Sequence, residues 1–594
     1  MNSLSISGKN WIFKKYNQED LNFLKESFSL DEITSKLLSI RKIKKEDINS
    51  FLNPSIKNFL PNPNNLIDME KTTLRTIKAI LNKEKIGIFG DYDVDGATST
   101  ALLGNYFSEL NLKYEIYIPD RKKEGYGPSI ESFKKLIKKG VKVIFTVDCG
   151  TLSFDAINYA KKNNIDVMVI DHHQSEVTLP DAFSIINPNR LDDKSNLQYL
   201  CAAGVTFMFL VSINRELRSN NWFNKNKINE PNLINFLDLV SLGTVCDVVP
   251  LTGLNRAIVK QGLKIIQSKK NLGIKTLLSI CNIDTNPSTY HLGYMLGPRI
   301  NAGGRVGKCS HGANLLLDKD PKNSFKLASE LDQFNKERQI LEKDLLQKIL
   351  NKTKNYLKDP VLILSGSNWH EGVIGIVAAR LKDKFNKPTI LISFDGNIGK
   401  ASARSIVGFD IGSVIIAASH ENILLKGGGH KMAGGFSIKL ENVEKFKKFI
   451  SKKFESINEN LKIEKPLLVD SIISPSAVNI EFYKKVALLS PFGSGNPEPK
   501  FVIEDLKTIN GKIVGESHIK SVLVGKDGST IKSIAFNSVE KDISPFLIKK
   551  NNKSFNIAGK LSLNEWKGQS NVEFIIDDIS VNKTVKNKVP SSIG

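Results

Sequence analysis

A chain of 594 residues is too long for one hydrophobic core, so three or four domains are expected. Its 41% hydrophobic and 25% charged residues are the composition of a soluble globular protein, and its best apolar run, around "IGSVIIAAS", falls far short of the roughly 20 residues that span a bilayer. A formal charge of +22 points towards a polyanionic partner, although lysine outnumbers arginine about six to one and a biased genome composition would give the same excess.

The opening "MNSLSISGKNWIFKK" lacks the basic start, apolar middle and small-residue cleavage site of a signal peptide, which leads to the expectation of a cytoplasmic protein without a membrane partner. Five scattered cysteines (Cys149, Cys201, Cys246, Cys281, Cys309) form no CxxC pair, which suits a reducing compartment and argues against a zinc knuckle.

Residues 1 to 80 read as short amphipathic helices around the link "LNPSIKNFLPNPNN". From 86 to 187, β-branched runs alternate with helical stretches: "IGIFG" (86–90), "YEIYI" (114–118), "VKVIFTV" (141–147), "IDVMVI" (165–170) and "FSIIN" (183–187). That alternation predicts βαβ units and a parallel sheet buried on both faces. Residues 205 to 290 read as mostly helical. Between 322 and 358, Leu327, Leu331, Phe334, Leu341, Leu345 and Ile349 recur at near-helical spacing and predict one long bridging helix. A second α/β unit follows, with "VLILS" (361–365), a helix near 373–384, "PTILIS" (388–393), "GKASARS", the glycine-rich "KGGGHKMAGGFSI" and another helix. After about 465, short strands such as "IKSVLVG", "STIKSIAFN", "FNIAGKLSL" and "NVEFIIDDI" predict a small β-barrel, closed by a frayed tail.

Polar residues placed on this map converge. "GDYDVDG", carrying Asp91, Asp93 and Asp95, follows the first strand; Asp148 follows "VKVIFTV"; Asp171, His172 and His173 follow "IDVMVI". Ligands of parallel sheets bind outside the carboxyl ends of the strands, so these groups are expected at one sheet edge. A lone Asp after a strand is most often a helix cap or turn former, but three ligand-bearing strand ends point to a metal site. Asp247, in "GTVCDVVPL", is a fourth candidate. Carboxylates with a minority of imidazole and no thiolate cluster favour Mn²⁺ or Mg²⁺. A carboxylate count this high can hold two ions about 4 Å apart, as in phosphoester cleavage. Gly96 is expected to permit a tight turn into the next helix.

Two further motifs carry less. "HEGVI" (370–374) imitates the start of a zinc-protease motif, but Ile374 stands in place of the second His. "KGGGHKMAGG" lacks the Gly-Lys-Ser/Thr ending of a P-loop; its glycines suit a tight turn, or a phosphate beside His430 and Lys431.

In this order, "GDYDVDG", "VDCG", "DHH" and "CDVVP" resemble the four motifs of the DHH phosphoesterases. "PDRKKEGYGPS" (119–129), "HLGYMLGPRINAGGR" (291–305), "SARS" (402–405), "GGGHKMAGG" and "PFGSGNPEP" (491–499) narrow the resemblance to the family's single-strand-specific 5′→3′ DNA exonucleases, over about residues 40 to 580. The resemblance implies an N-terminal helical extension (1–75), a DHH catalytic domain (76–320), a connecting helix (321–358), a DHH-associated α/β domain (359–460), an oligonucleotide-binding (OB) β-barrel (465–582) and a tail (583–594). It assigns metal ligation to Asp93, Asp95, Asp148, His172 and Asp247, with Asp148 bridging two Mn²⁺ or Mg²⁺ ions. His173 would contact the scissile phosphate or help hold a metal, and Asp91 and Asp171 would support the ligands. Arg121, Arg299, Arg305, Ser402, Arg404 and His430 would hold DNA phosphates, including the terminal 5′ phosphate. Pyrophosphatase-type relatives carry a His where this chain has Phe89. The implied partners are single-stranded DNA, a single-strand-binding protein and a helicase, with a monomeric enzyme.

The alternative within enzymes is a phosphodiesterase or phosphatase for short oligonucleotides or cyclic dinucleotides; a tiny substrate, however, needs neither the barrel nor the N-terminal extension. The alternative from another class, a catalytically dead nucleic-acid-binding factor, is opposed by the complete ligand set.

Overall fold

The computed structural model describes residues 4–581 except 122, 285, 354–357, 459–465 and 567–568. The expected frayed tail therefore lies outside the described residues. The chain gathers into two compact units: Pro61–Val249 with Gln261–Ile463, and Met1–Leu60 with Pro250–Lys260 and Glu464–Gly594.

The larger unit begins with a parallel five-stranded sheet, in spatial order Tyr114–Tyr117, Ile86–Gly90, Val143–Val147, Asp166–Ile170 and Ser184–Ile186. Its central strands are buried throughout, as Val/Ile-rich runs covered on both faces must be. Helices Val94–Glu109, Ala202–Ser219 and Leu237–Cys246 pack together over the sheet. The long helix Pro321–Thr353 follows, with Leu327, Leu331, Leu345 and Ile349 buried as the spacing requires, while Leu341 is exposed. Residues 354–357, expected to complete it, lie outside the described residues.

A second sheet of mixed direction runs in the order Lys426–His430, Ala433–Lys439, Ile398–Arg404, Thr389–Asp395 and Leu362–Ser367; only the last pair is parallel. The stretch "KGGGH" is its exposed edge strand, and the turn is confined to Lys431 and Met432. Helix Glu371–Phe385 packs against this sheet.

In the smaller unit, Phe501–Val514, His518–Val524, Thr530–Ala535, Gln569–Ser580 and Asn551–Trp566 pair in sequence, and Asn551–Trp566 closes onto Phe501–Val514. The result is a closed five-stranded barrel. The first sixty residues share its core: Leu24, Leu37, Leu38 and Ile48 cluster with Phe501, Ile519, Phe555 and Phe574. Strand Asn10–Phe13 pairs with Pro466–Val469, and Trp11 Nε1 donates to Asp578 Oδ2 at 2.8 Å. The N-terminal segment is thus part of the barrel unit. Burial of its apolar faces, amphipathic but too short to fold alone, requires that partner.

Arg256 anchors the motif "PFGSGNPEP". Fully buried, it donates to the carbonyls of Phe51 (2.9 Å), Leu489 (3.0 Å), Ser490 (2.8 Å) and Pro491 (3.3 Å), with its guanidinium 3.9 Å from the Phe51 ring centroid. Burial, and then the nearby Arg41, lower its pKa to about 10. Arg41 itself donates to Asn496 Oδ1 at 2.8 Å and to Pro497 O at 2.9 Å.

Candidate metal centre

The three acidic strand ends meet. Asp93 caps helix Val94–Glu109, its Oδ1 accepting from Gly96 N–H at 3.0 Å. Asp95, in the first turn, accepts from the N–H groups of Ala202 (2.6 Å) and Ala203 (2.9 Å), at the start of helix Ala202–Ser219. Gly96 has a reason different from the expected tight turn: a Cβ there would lie 2.6 Å from the Asp91 carbonyl oxygen, so glycine permits close passage of helix and loop. Asp148 is 2% exposed and holds φ at +60°, a left-handed conformation that Asp tolerates better than most residues.

His172 stands among three carboxylates: its Nε2 is 3.3 Å from Asp148 Oδ1 and 3.7 Å from both Asp95 Oδ2 and Asp247 Oδ2. Asp171 turns away from this group to organise the two histidines. It accepts from His172 N–H (2.8 Å), His173 N–H (3.2 Å), Thr151 Oγ1 (2.7 Å) and Thr151 N–H (3.1 Å), and pairs with His173 Nδ1 at 2.8 Å.

Three sets of donor atoms lie within 4.8 Å of one another: Asp148, His172 and His173; Asp95, His172 and Asp247; Asp91, Asp93 and Asp148. Asp148 and His172 each belong to two sets. Asp91, expected as a support, joins a donor set, and its buried Oδ1 has no hydrogen-bond partner among the described residues.

Charge explains what such a cluster requires. Burial, then the charges of Asp93, Asp95, Asp91 and Asp171, push the Asp148 pKa well above the usual carboxylate range. Burial and then Asp95 and Asp93 raise Asp247 to about 8, and burial also raises Asp91 and Asp95. Asp171 moves the other way: burial opposes its ionisation, but His173 and the Thr151 hydroxyl outweigh it and hold the acid well below its usual range. Burial likewise opposes protonation of His173, yet Asp171 lifts its pKa to about 9. Mutually repelling, buried carboxylates with an orphaned oxygen fit hard divalent cations, whose charge offsets the repulsion.

Sequence reasoning missed three residues here. Asn187 Nδ2 donates to His173 O (2.9 Å) and Thr151 Oγ1 (2.9 Å), and Asn189 Nδ2 donates to His172 O at 2.5 Å. Both follow the fifth strand, so the strand-end rule, carried one strand further, would have found them. Tyr126, inside a quoted motif, donates its hydroxyl to Asp148 O at 3.1 Å and sets its ring edge-on to His173.

Tyr126 also lines a cleft of about 900 Å³ that contains Arg121, Arg305, Ser402, Arg404 and Lys400. Arg404 Nη1 donates to Ser402 Oγ (3.1 Å) and Ala403 O (2.8 Å), and Arg305 Nη1 donates to Gly372 O at 3.0 Å. The Arg121 guanidinium lies 5.3 Å from the Tyr92 ring centroid. Burial, then the cations Arg121, Arg338 and Arg404, lower the Arg305 pKa to about 10; burial lowers Arg404. Clustered, partly desolvated guanidiniums suit a polyanion that accepts bidentate hydrogen bonds. Gly375 makes room for them: a Cβ there would lie 2.8 Å from Ser402 Oγ and 2.9 Å from Arg404 Nη2. Two expected contacts fall outside the lining. Arg299 pairs with Asp332 (2.9 Å) and donates to Met295 O (2.7 Å), and His430 ends the exposed edge strand.

Comparison with known proteins covers the same ground. The N-terminal domain of the DHH family matches residues 85–244, the DHHA1 domain 343–456 and the RecJ OB domain 469–578. The single-stranded-DNA-specific exonuclease RecJ of Haemophilus influenzae is 34% identical over 542 residues, covering 89% of this chain and 93% of the relative. Crystal structures of RecJ from Thermus thermophilus share the fold at 24% identity. The Mn²⁺ complex gives a TM-score of 0.77 over 98% of this chain and 80% of that one, and the Mg²⁺ complex 0.70 over 96% and 78%. With a third of its residues shared along nearly the whole of a RecJ, and all three domain types present, this chain belongs to the RecJ family.

Proposed function

We propose that the chain is a metal-dependent exonuclease that removes nucleotides from the 5′ end of single-stranded DNA and acts in DNA repair and recombination. The observation that carries this reading is the Tyr126 hydroxyl on Asp148 O, which sets the arginine-lined cleft directly against the carboxylate cluster.

Asp93, Asp95, Asp148, His172 and Asp247 would hold two divalent ions, and Asp148 alone of the carboxylates sits in two donor sets. The orphaned Asp91 oxygen adds a donor beside Asp93. When bound, Mn²⁺ or Mg²⁺ supplies Lewis-acid charge that activates water and offsets charge on the leaving oxygen. Asp171 engages His173 through Nδ1, leaving Nε2 to meet a non-bridging oxygen of the scissile phosphate. Asn187 and Asn189 fix the backbone that carries both imidazoles.

Arg404 and Ser402 bind the terminal phosphate, Arg305 and Arg121 the next ones, and Arg299 and His430 meet the strand outside the cleft. Arginine suits this role because its planar fork grips phosphate with two bonds. The barrel binds single strands by stacking and charge. The domain limits that go with this reading are 76–320, 321–358, 359–460 and 465–582, in a monomeric cytoplasmic enzyme that works with a single-strand-binding protein and a helicase.

Cleavage of end-labelled long single strands, dinucleotides and pyrophosphate with Mn²⁺ tests the reading. Long strands should shorten from the 5′ end. Turnover confined to dinucleotides or pyrophosphate would refute it.

A further inference from the structure

One acid stands among the cations of the arginine-lined cleft, and the metal chemistry gives it no part. Among the described residues that line the cleft, Arg121, Arg305, Lys400, Arg404 and Lys426 are basic and Glu371 alone is acidic. Glu371 Oε2 pairs with Lys400 Nζ at 2.9 Å, and both side chains stay about half exposed.

The pair belongs to a repeated arrangement. Along strand Ile398–Arg404 burial alternates, so Lys400, Ser402 and Arg404 share one face of the sheet while Gly399, Ala401 and Ala403 are buried. The first turns of helix Glu371–Phe385 meet this row: Glu371 faces Lys400, and Gly375, one turn later, meets Ser402 and Arg404. Four residues of helix advance about 6 Å and two of strand about 6.7 Å, so positions 371 and 375 keep step with 400 and 402.

The two rungs differ in what the helix presents. At Gly375 it offers no side chain, which leaves the Arg404 guanidinium and the Ser402 hydroxyl open to the cleft. At Glu371 it offers a carboxylate, which engages the lysine. Gly372, the next residue, gives its carbonyl to Arg305 Nη1 at 3.0 Å, so the acid stands beside a second cation of the cleft.

A first-turn acid stabilises a helix through its dipole, which would account for Glu371 on an isolated helix. It does not account for a carboxylate inside a cleft built for a polyanion. There, a phosphate that took Lys400 would bring its charge against Glu371, like against like, so the exchange gains little.

We propose that Glu371 is a brake on binding: it neutralises Lys400 and keeps one cation of the cleft off the DNA backbone; this rests on the single-strand exonuclease reading above. An exonuclease must let the strand move after every cut to draw in the next nucleotide. Each further phosphate contact slows that movement. A cleft with one cation held back therefore turns over faster.

The test compares full-length wild type, Glu371→Gln and Glu371→Gln/Lys400→Gln. In chelator, where nothing is cut, affinity for a 5′-phosphorylated oligothymidine is followed against salt. Glu371→Gln should bind more tightly, with a salt slope steeper by about 0.7, worth roughly fivefold across a tenfold change of salt. The double variant, as neutral at these two positions as the wild-type pair, should return to the wild-type slope. With Mn²⁺, Glu371→Gln should lower KM and kcat together on long strands. A role confined to the helix would lower the melting temperature and leave the slope unchanged, and an unchanged slope overturns the brake. So does a double variant with a slope shallower than wild type, because Lys400 would then already hold a phosphate beside Glu371. Tighter binding without slower turnover overturns it as well. Should Glu371→Gln fold poorly, Glu371→Ser, which suits a helix start, must show the steeper slope in its place. Failure of wild type to cut single strands with Mn²⁺ is a separate result that removes the exonuclease reading and the brake with it.

Discussion

His173 Nδ1 lies 2.8 Å from Asp171 Oδ1, and the same carboxylate oxygen also accepts the backbone N–H groups of both His172 and His173. One buried oxygen thus sets the position of two imidazoles and the charge of one. In the metal-free protein Asp171 holds His173 near pKa 9 against the opposing effect of burial. A folded-state pKa above the ordinary 6.5 makes this pair stabilising below about pH 6.5, with the contribution lost as pH rises through 9.

Asp171→Asn should therefore lower the His173 pKa, because the largest offset to burial is removed and only Asp247 and Asp93 still oppose it. Histidine-ring NMR in chelator reads the pKa directly. Thermal unfolding of the metal-free protein should fall less between about pH 7 and 9 in the variant than in wild type. A His173 pKa unchanged by the substitution would show that the cluster's other carboxylates carry the charge.

Asp148 separates backbone from ligand effects. Its φ of +60° suits Asn far better than Ala, so Asp148→Asn should keep the fold where Asp148→Ala adds strain. Both should lose metal binding by calorimetry and cut single strands at least about 100-fold more slowly, more than loss of an outer support would cost. In chelator Asp148→Asn should melt above wild type, because it removes a buried charge repelled by its neighbours. Near-normal turnover by the folded variant would sink the shared-ligand assignment.

End recognition is tested at Arg404. Arg404→Ala should cost ~10- to 100-fold more activity on 5′-phosphorylated strands than on 5′-hydroxyl strands, the scale of a hydrogen bond to a charged group. Arg404→Lys should restore only part, keeping charge but losing the fork. Gly375→Ala should reproduce a weaker form of the same end-selective loss, since its methyl group crowds both Ser402 and Arg404. Equal losses on both kinds of end would mean that Arg404 does not read the terminus.

In the smaller unit, Arg256→Leu should orphan the carbonyls of Ser490 and Phe51, while those of Leu489 and Pro491 keep the Asn496 amide. The cost should reach about 2 kcal/mol or more, at roughly 1–3 kcal/mol for each buried group left without a partner. Limited proteolysis should show cleavage near residues 489–497 in the variant and protection in wild type. Equal protection would place the anchoring elsewhere.

Much of the carboxylate–histidine cluster is legible from local pattern alone. The β-branched runs announce the parallel sheet, and Asp93, Asp148 and His172 follow their strands directly, so strand-end placement brings them together. What is not legible depends on partners distant in sequence. Nothing near Trp11 points to Asp578, and nothing near Leu37 announces a core shared with Phe574. Arg299 sits in a motif that suggests phosphate, yet Asp332 on the long helix engages it. The role of Gly96 follows from the distance to Asp91 rather than from a turn. Asn187 and Asn189 act on backbone carbonyls, which carry no residue-type signature.

The smaller unit draws on both termini, and this has a consequence for biosynthesis. Leu37, Leu38 and Ile48 leave the ribosome early, but Phe501, Phe555 and Phe574, against which they pack, emerge more than four hundred residues later. At about 5–20 residues per second that interval is roughly 25–100 s. Throughout it the larger unit can fold as its segments appear, while the N-terminal helices keep their apolar faces uncovered. A chain interrupted before residue 466 would hold that surface open indefinitely, so premature termination should yield aggregates or chaperone-bound protein even though every metal donor has already been made.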